Sequence, residues 1–114
     1  MPANQSANKQ LGQLLLDGDI AAFNQARKQI TEYSLAGMDL SGIDLRNLDA
    51  RGLDMQDCRL GHTDLRGIDF SATNLQGASI SCARISGTLF PQSLSAEEIT
   101  LSLVHGTRIR ALKG

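Results

Sequence analysis

Residues 38–52 read Met38-Asp39-Leu40-Ser41-Gly42-Ile43-Asp44-Leu45-Arg46-Asn47-Leu48-Asp49-Ala50-Arg51-Gly52, three passes through one five-residue unit. Each pass sets an acid before a central side chain and a Gly or Asn two places after it. The central series extends in both directions: Leu35, Leu40, Leu45, Ala50, Met55, Leu60, Leu65, Phe70, Leu75, Ile80, Ile85, Phe90. Only Ala50 is small. A period of five fits neither the 3.6-residue repeat of a helix nor the alternation of a strand. It requires a backbone that turns every five residues, which is the mark of a solenoid. The flanking columns agree. Asp39, Asp44, Asp49, Asp54, Asp64, Asp69 and Asn74 precede the centre; Gly37, Gly42, Gly52, Gly67, Gly77 and Gly87 follow it, with Asn47 in one gap. Asp and Asn bond nearby backbone, and Gly accepts the dihedrals of a tight corner.

Segments such as Ile43-Asp44-Leu45-Arg46-Asn47 and Ala78-Ser79-Ile80-Ser81-Cys82 resemble the pentapeptide-repeat proteins, whose unit is roughly Ala-(Asp/Asn)-Leu-x-x. The resemblance covers Tyr33 to Gln92, twelve pentads. It implies a mainly β fold, a right-handed quadrilateral β-helix of about three coils, with four pentads per coil. The central residue and the one two places earlier would point inward. Two departures stand out. The earlier inward position is often small in the family but here holds Met38, Ile43, Leu48, Leu53 and Ile68, and the acid column breaks at Arg59, Arg84 and Leu89. Ala50 offsets Leu48 if the core conserves volume.

Around the repeat the chain divides into three parts. Residues 1–32 predict an N-terminal helical hairpin cap, with the first half-dozen residues frayed. One helix carries Leu11, Leu14 and Leu15 and stops at Asp17-Gly18. Asp19 caps a second, which sets Phe23, Ala26 and Ile30 on one face. Residues 33–92 are the repeat. Residues 93–114 predict a C-terminal helix opened by the capping box Ser95-Ala96-Glu97-Glu98 and closed at Gly106, followed by a basic tail. Both helical parts would cover the open ends of a solenoid core. Ile99, Leu101, Leu103 and Val104 spread over more of that last helix than one contact stripe needs. With Ile109, they are the candidate contacts of a homodimer, because relatives in the resembling family often pair through this end.

At 114 residues with 11 basic and 12 acidic side chains, the chain is one domain of net charge −1. That balance attracts neither nucleic acid nor an acidic membrane. No apolar run is long enough to span a bilayer and the start is not a signal peptide, so cytoplasmic residence is expected. Secretion without a cleavable signal would leave the same record.

Catalytic chemistry finds little to work with. Cys58, His62 and Cys82 share a face, but Cys58 holds an inward position, the other two sit at corners, and no fourth zinc ligand is evident. His105 suits a helix C-terminus. We therefore expect no catalytic residues, no metal and no cofactor. The favoured function is a non-catalytic, rigid protein-binding or scaffolding module. Arg46, Arg51 and Arg66 are its candidate partner contacts, since Arg concentrates binding energy. The resemblance implies two alternatives. Some members modulate type II topoisomerases such as gyrase by imitating duplex DNA with a long acidic rod. Three coils span only about 14 Å at sheet spacing, with charges that nearly cancel, which ranks this reading second. The other alternative is a secreted bacterial effector.

Overall fold

The computed structural model describes residues 5–112. Helix α1 spans Gln5–Leu16, α2 spans Ile20–Ala26 and runs into a 3₁₀ turn at Arg27–Gln29, and α3 spans Ala96–His105. The helix at Gln5 corrects the expectation of a frayed start as far as residues 5 and 6; residues 1–4 lie outside the described part. Between α2 and α3 the chain winds in laps of twenty residues. Six parallel bridges mark the register: Asp39 with Arg59, Asp44 with Asp64, Asp54 with Asn74, Arg59 with Ser79, Asp64 with Arg84, and Asp69 with Leu89.

These bridges also overturn the expected fold class. Each is an isolated single-residue contact, and the described residues form no β-strand, sheet or barrel. The fold is a turn-built coil with three helices, not a mainly β one. The reason is local. A strand needs several consecutive residues paired on one line, whereas here a corner follows every bridging residue. Where the bridging residue is an Asp its side chain accepts the N–H two places on: Ser41 N to Asp39 at 3.1 Å, Arg46 N to Asp44 at 3.1 Å, Arg66 N to Asp64 at 3.2 Å and Ser71 N to Asp69 at 2.9 Å. Two residues further on an N–H closes a turn, such as Ile43 N to Leu40 C=O at 3.3 Å and Ile68 N to Leu65 C=O at 3.2 Å.

The third residue of such a turn takes a positive φ, the type II geometry that favours Gly. Asn47, Asp57, His62 and Cys82 adopt it without being Gly. Ala72 does not, and Gly52 N donates to Ala72 C=O, twenty residues on, where Gly37, Gly42, Asp57, His62 and Gly67 donate nineteen on.

The central column is the core. Leu35, Leu40, Leu45, Met55, Leu60, Leu65, Phe70 and Ile80 are fully enclosed, and Ala50 and Leu75 nearly so. Leu48, Leu53, Cys58, Ile68, Ala78 and Ala83 fill the second inward position. Thr63 and Thr73 also lie there, each with its hydroxyl on a backbone carbonyl at 2.6 Å, so their burial leaves no polar group unpaired.

Side-chain and backbone groups of the flanking segments stand in for missing laps over part of each end. From α2, Asn24 accepts Asp49 N–H and donates to Asn47 C=O, both at 2.9 Å. Arg27 donates to the carbonyls of Asp49 and Arg51. Leu11, Leu15 and Phe23 cover the apolar lid of the first lap. At the other end Ser102 Oγ accepts Ile80 N–H at 3.0 Å, Leu103 C=O accepts Cys82 N–H at 3.0 Å, and Ile109 exchanges bonds with Gly77 N–H and Ala78 C=O at 2.8 Å.

Candidate functional site

One outer face carries a ladder of alternating charge. The twenty-residue lap stacks Asp44 and Arg46 beneath Asp64 and Arg66, and the five-residue unit puts each Arg two places after its Asp. Arg46 grips Asp44 through both Nε and Nη2, the shorter bond 2.7 Å, and Arg66 holds Asp64 in the same way. Arg46 Nε also reaches Asp64 at 3.4 Å, which ties one lap to the next. Hydrogen bonds from Arg66, ahead of its charge and that of Arg46, hold the Asp64 carboxyl down at about 2. Around the corner Arg51 donates to Asp49 at 2.9 and 3.0 Å, and Arg27 approaches Asp49 at 3.6 Å. The Arg51 hydrogen bond is the main cause of the Asp49 carboxyl lying at about 2.

The turn between α1 and α2 overhangs this ladder. Gly18, Asp19 and Asn47 join Asp44, Arg46 and Arg66 around an open groove of about 540 Å³. Arg46 and Arg66 are therefore brought to one surface, while Arg51 stands on the neighbouring face with its side chain 79% exposed.

The C-terminal candidates separate. Leu101 and Val104 are exposed, at 39% and 61%, and Ile99 and Leu103 pack partly against the core. Ile109 is fully enclosed by its own chain. The cysteine–histidine trio is not assembled. Cys58 points inward with its thiol donating to Leu35 C=O at 3.1 Å, and burial pushes that thiol up to about 11. His62 and Cys82 are exposed corner residues on adjoining laps, linked by His62 N–H to Ser81 C=O at 2.7 Å. His105 is exposed in the last turn of α3.

Sequence reasoning missed the anchoring role of Asn24 and Arg27, and the pair in which Glu98 accepts from Arg110 at 2.7 Å. The Ser95–Glu98 spacing predicts a reciprocal capping box. Ser95 does accept Glu98 N–H at 3.1 Å, but the Glu98 carboxylate binds the tail. These contacts join segments a dozen or more residues apart, for which the local pattern carries no signal.

A family model for pentapeptide repeats matches residues 34–67 and 54–90, which together take in half of the chain. The chain belongs to the pentapeptide-repeat family. No curated protein and no solved structure matches it. Within the described residues no helix is long and apolar enough to cross a membrane.

Proposed function

We propose that this pentapeptide-repeat chain is a non-catalytic, rigid protein-binding or scaffolding module, with the Arg46–Arg66 ladder and the adjacent Arg51 as its partner contacts. One observation carries the reading: Arg46 is fixed across two laps, held by Asp44 at 2.7 Å and by Asp64 at 3.4 Å. An Arg already locked in place loses little rotamer freedom on binding, a cost of about 0.5–1.5 kcal/mol per mobile side chain otherwise. The guanidinium planes stay available for stacking and for their remaining N–H donors. The interior adds support, being filled with Leu, Met and Phe side chains rather than shaped around a cleft.

Pairing of two copies belongs to the same reading. Leu101 and Val104 expose apolar surface on α3, with Ile99 and Leu103 at its margin, whereas Ile109 is committed to its own core. Residence in the cytoplasm completes the proposal.

The test is proximity labelling in the native cell with the wild type and with an Arg46→Gln/Arg66→Gln variant shown to be folded by a cooperative melt. Proteins captured by the wild type should disappear with the variant. An identical captured set would overturn the ladder as the contact surface. Topoisomerase subunits in the captured set, together with altered supercoiling, would favour the alternative reading instead.

A further inference from the structure

Each lap passes its backbone groups to the lap above. Leu45 N–H donates to Asp64 C=O and Leu65 N–H to Arg84 C=O, while Asp64 and Arg84 N–H donate back to Ile43 and Thr63 carbonyls. Gly67 N–H and Phe70 N–H reach Ser86 and Leu89 carbonyls in the same manner. On the last lap, α3 and the segment after it answer this edge only from Gly77 to Cys82. Past Cys82, the N–H groups of Ile85, Gly87 and Phe90 and the carbonyls of Ala83 and Thr88 have no hydrogen-bond partner among the described residues. An unpaired row of this kind is a template for another extended segment.

The side chains along the row narrow the choice of occupant. Arg84 stands where most laps carry an acid; it is exposed, and no carboxylate among the described residues pairs with it. Directly below stands Asp64, which Arg66 and Arg46 already share. The alternating ladder thus ends on Arg84, a base in the place of an acid. Beside them Leu89 is 58% exposed, and Ile85 and Phe90 are half-buried, which gives an apolar floor.

We propose that the edge from Ala83 to Phe90 takes up an extended acidic segment of a partner protein, added as one more parallel rung with a carboxylate against Arg84. This deepens the protein-binding reading above and rests on it. Charge decides between a foreign segment and a second copy. A second copy laid over this edge would bring its own Arg84 and no acid to meet it, since residues 70–92 hold no Asp or Glu, and like charges at an interface repel. A segment with a carboxylate in the next rung both neutralises Arg84 and completes the backbone row.

The probe is an end-blocked synthetic peptide of residues 61–71, the rung that pairs with the last lap from below and carries Asp64 and Asp69. Placed above, its Asp64 backbone would bond Ala83 C=O and Ile85 N–H while its carboxylate lies over Arg84. Fluorescence titration should give saturable binding, about fivefold weaker or worse after Asp64→Lys in the peptide or Arg84→Glu in the protein. Arg84→Glu sets a second carboxylate over Asp64, so Arg84→Gln, which should melt as the wild type does, is the control and should weaken binding in the same direction. Amide exchange at Ile85, Gly87 and Phe90 should slow when the peptide is present. Absence of saturable binding at about 1 mM peptide, equal binding by the Asp64→Lys peptide, or unchanged exchange at those three amides would each overturn the proposal. So would sedimentation showing a second copy already on this edge. If capture that depends on Arg46 and Arg66 persists while the peptide fails, only the edge proposal falls. Loss of that dependence removes the broader reading whatever the peptide does.

Discussion

Replacing Ser102 with Ala tests how a helix can end a stack of laps. Ser102 is completely buried, and its hydroxyl oxygen accepts the Ile80 N–H at 3.0 Å, the bond that a further lap would otherwise supply. Ile80 is itself fully enclosed, so water cannot replace the lost acceptor. An orphaned buried N–H costs about 1–3 kcal/mol. Ala is the better helix former by roughly 0.5 kcal/mol, which leaves a net loss of about 1.5 kcal/mol. An unfolding entropy of about 2.1 cal/mol/K per residue gives roughly 0.24 kcal/mol/K for a chain of this size. The melting temperature should therefore drop by about 6 °C. Calorimetry and urea titration would measure the loss, and amide exchange at Ile80 would locate it. Thr100→Ala, on the exposed side of the same helix, should change stability by less than about 0.5 kcal/mol. An unaltered melting temperature together with an equally protected Ile80 amide would refute the role given to Ser102.

Three further outcomes follow from the same geometry. In the folded protein an aromatic disulfide reagent should titrate Cys82 alone, with Cys58 reacting only in denaturant, because burial and the bond to Leu35 C=O keep the inner thiol protonated and covered. Asp49 has its folded pKa depressed to about 2 by Arg51, so its stabilisation is complete above the ordinary value near 3.8 and fades as pH falls toward 2. The wild type should therefore lose its stability advantage over Asp49→Asn between about pH 4 and pH 2 in denaturant titrations; an advantage independent of pH would contradict the pairing. Leu65→Asp places a carboxylate in the middle of the filled column at a cost of several kcal/mol, a large share of a domain's roughly 5–15 kcal/mol. Its circular dichroism should be that of an unfolded chain at room temperature, and a cooperative melt near the wild-type midpoint would count against the inward placement of Leu65.

Much of the architecture could be read from residue spacing because every pentad repeats the same local chemistry. An Asp that bonds the N–H two places on, an inward Leu and a positive-φ residue at the corner each act within five residues, and Asp39 to Gly42 already contains all of them. The Asp19 cap, which accepts Ala22 N–H at 3.2 Å, and the left-handed Gly106 are equally local. The fold class was not legible in the same way. Spacing of this kind places a bridge on each side but does not say how many residues join it, and here every bridge is one residue wide. The Ala72 corner is a second case, since nothing adjacent announces that Gly52 will bond one residue further along. For the candidate site, the Arg columns follow directly from the repeat. The overhang of Gly18 and Asp19 and the commitment of Ile109 to the last lap depend on where the flanking segments dock, which no periodicity encodes.

Disulfide trapping offers the most direct test of the twenty-residue lap that puts every proposed contact on an outer wall. In a Cys82→Ser background, Asp69→Cys with Leu89→Cys joins two exposed residues that form a parallel bridge. Rung spacing of about 4.8 Å lies within the roughly 4.4–6.8 Å that a disulfide spans between Cα atoms. Mild oxidation should close this pair rapidly in the folded protein and leave Asp69→Cys with Arg84→Cys, fifteen residues apart, open. Equal closure of both pairs, or closure of the second alone, would contradict the register and the surfaces derived from it.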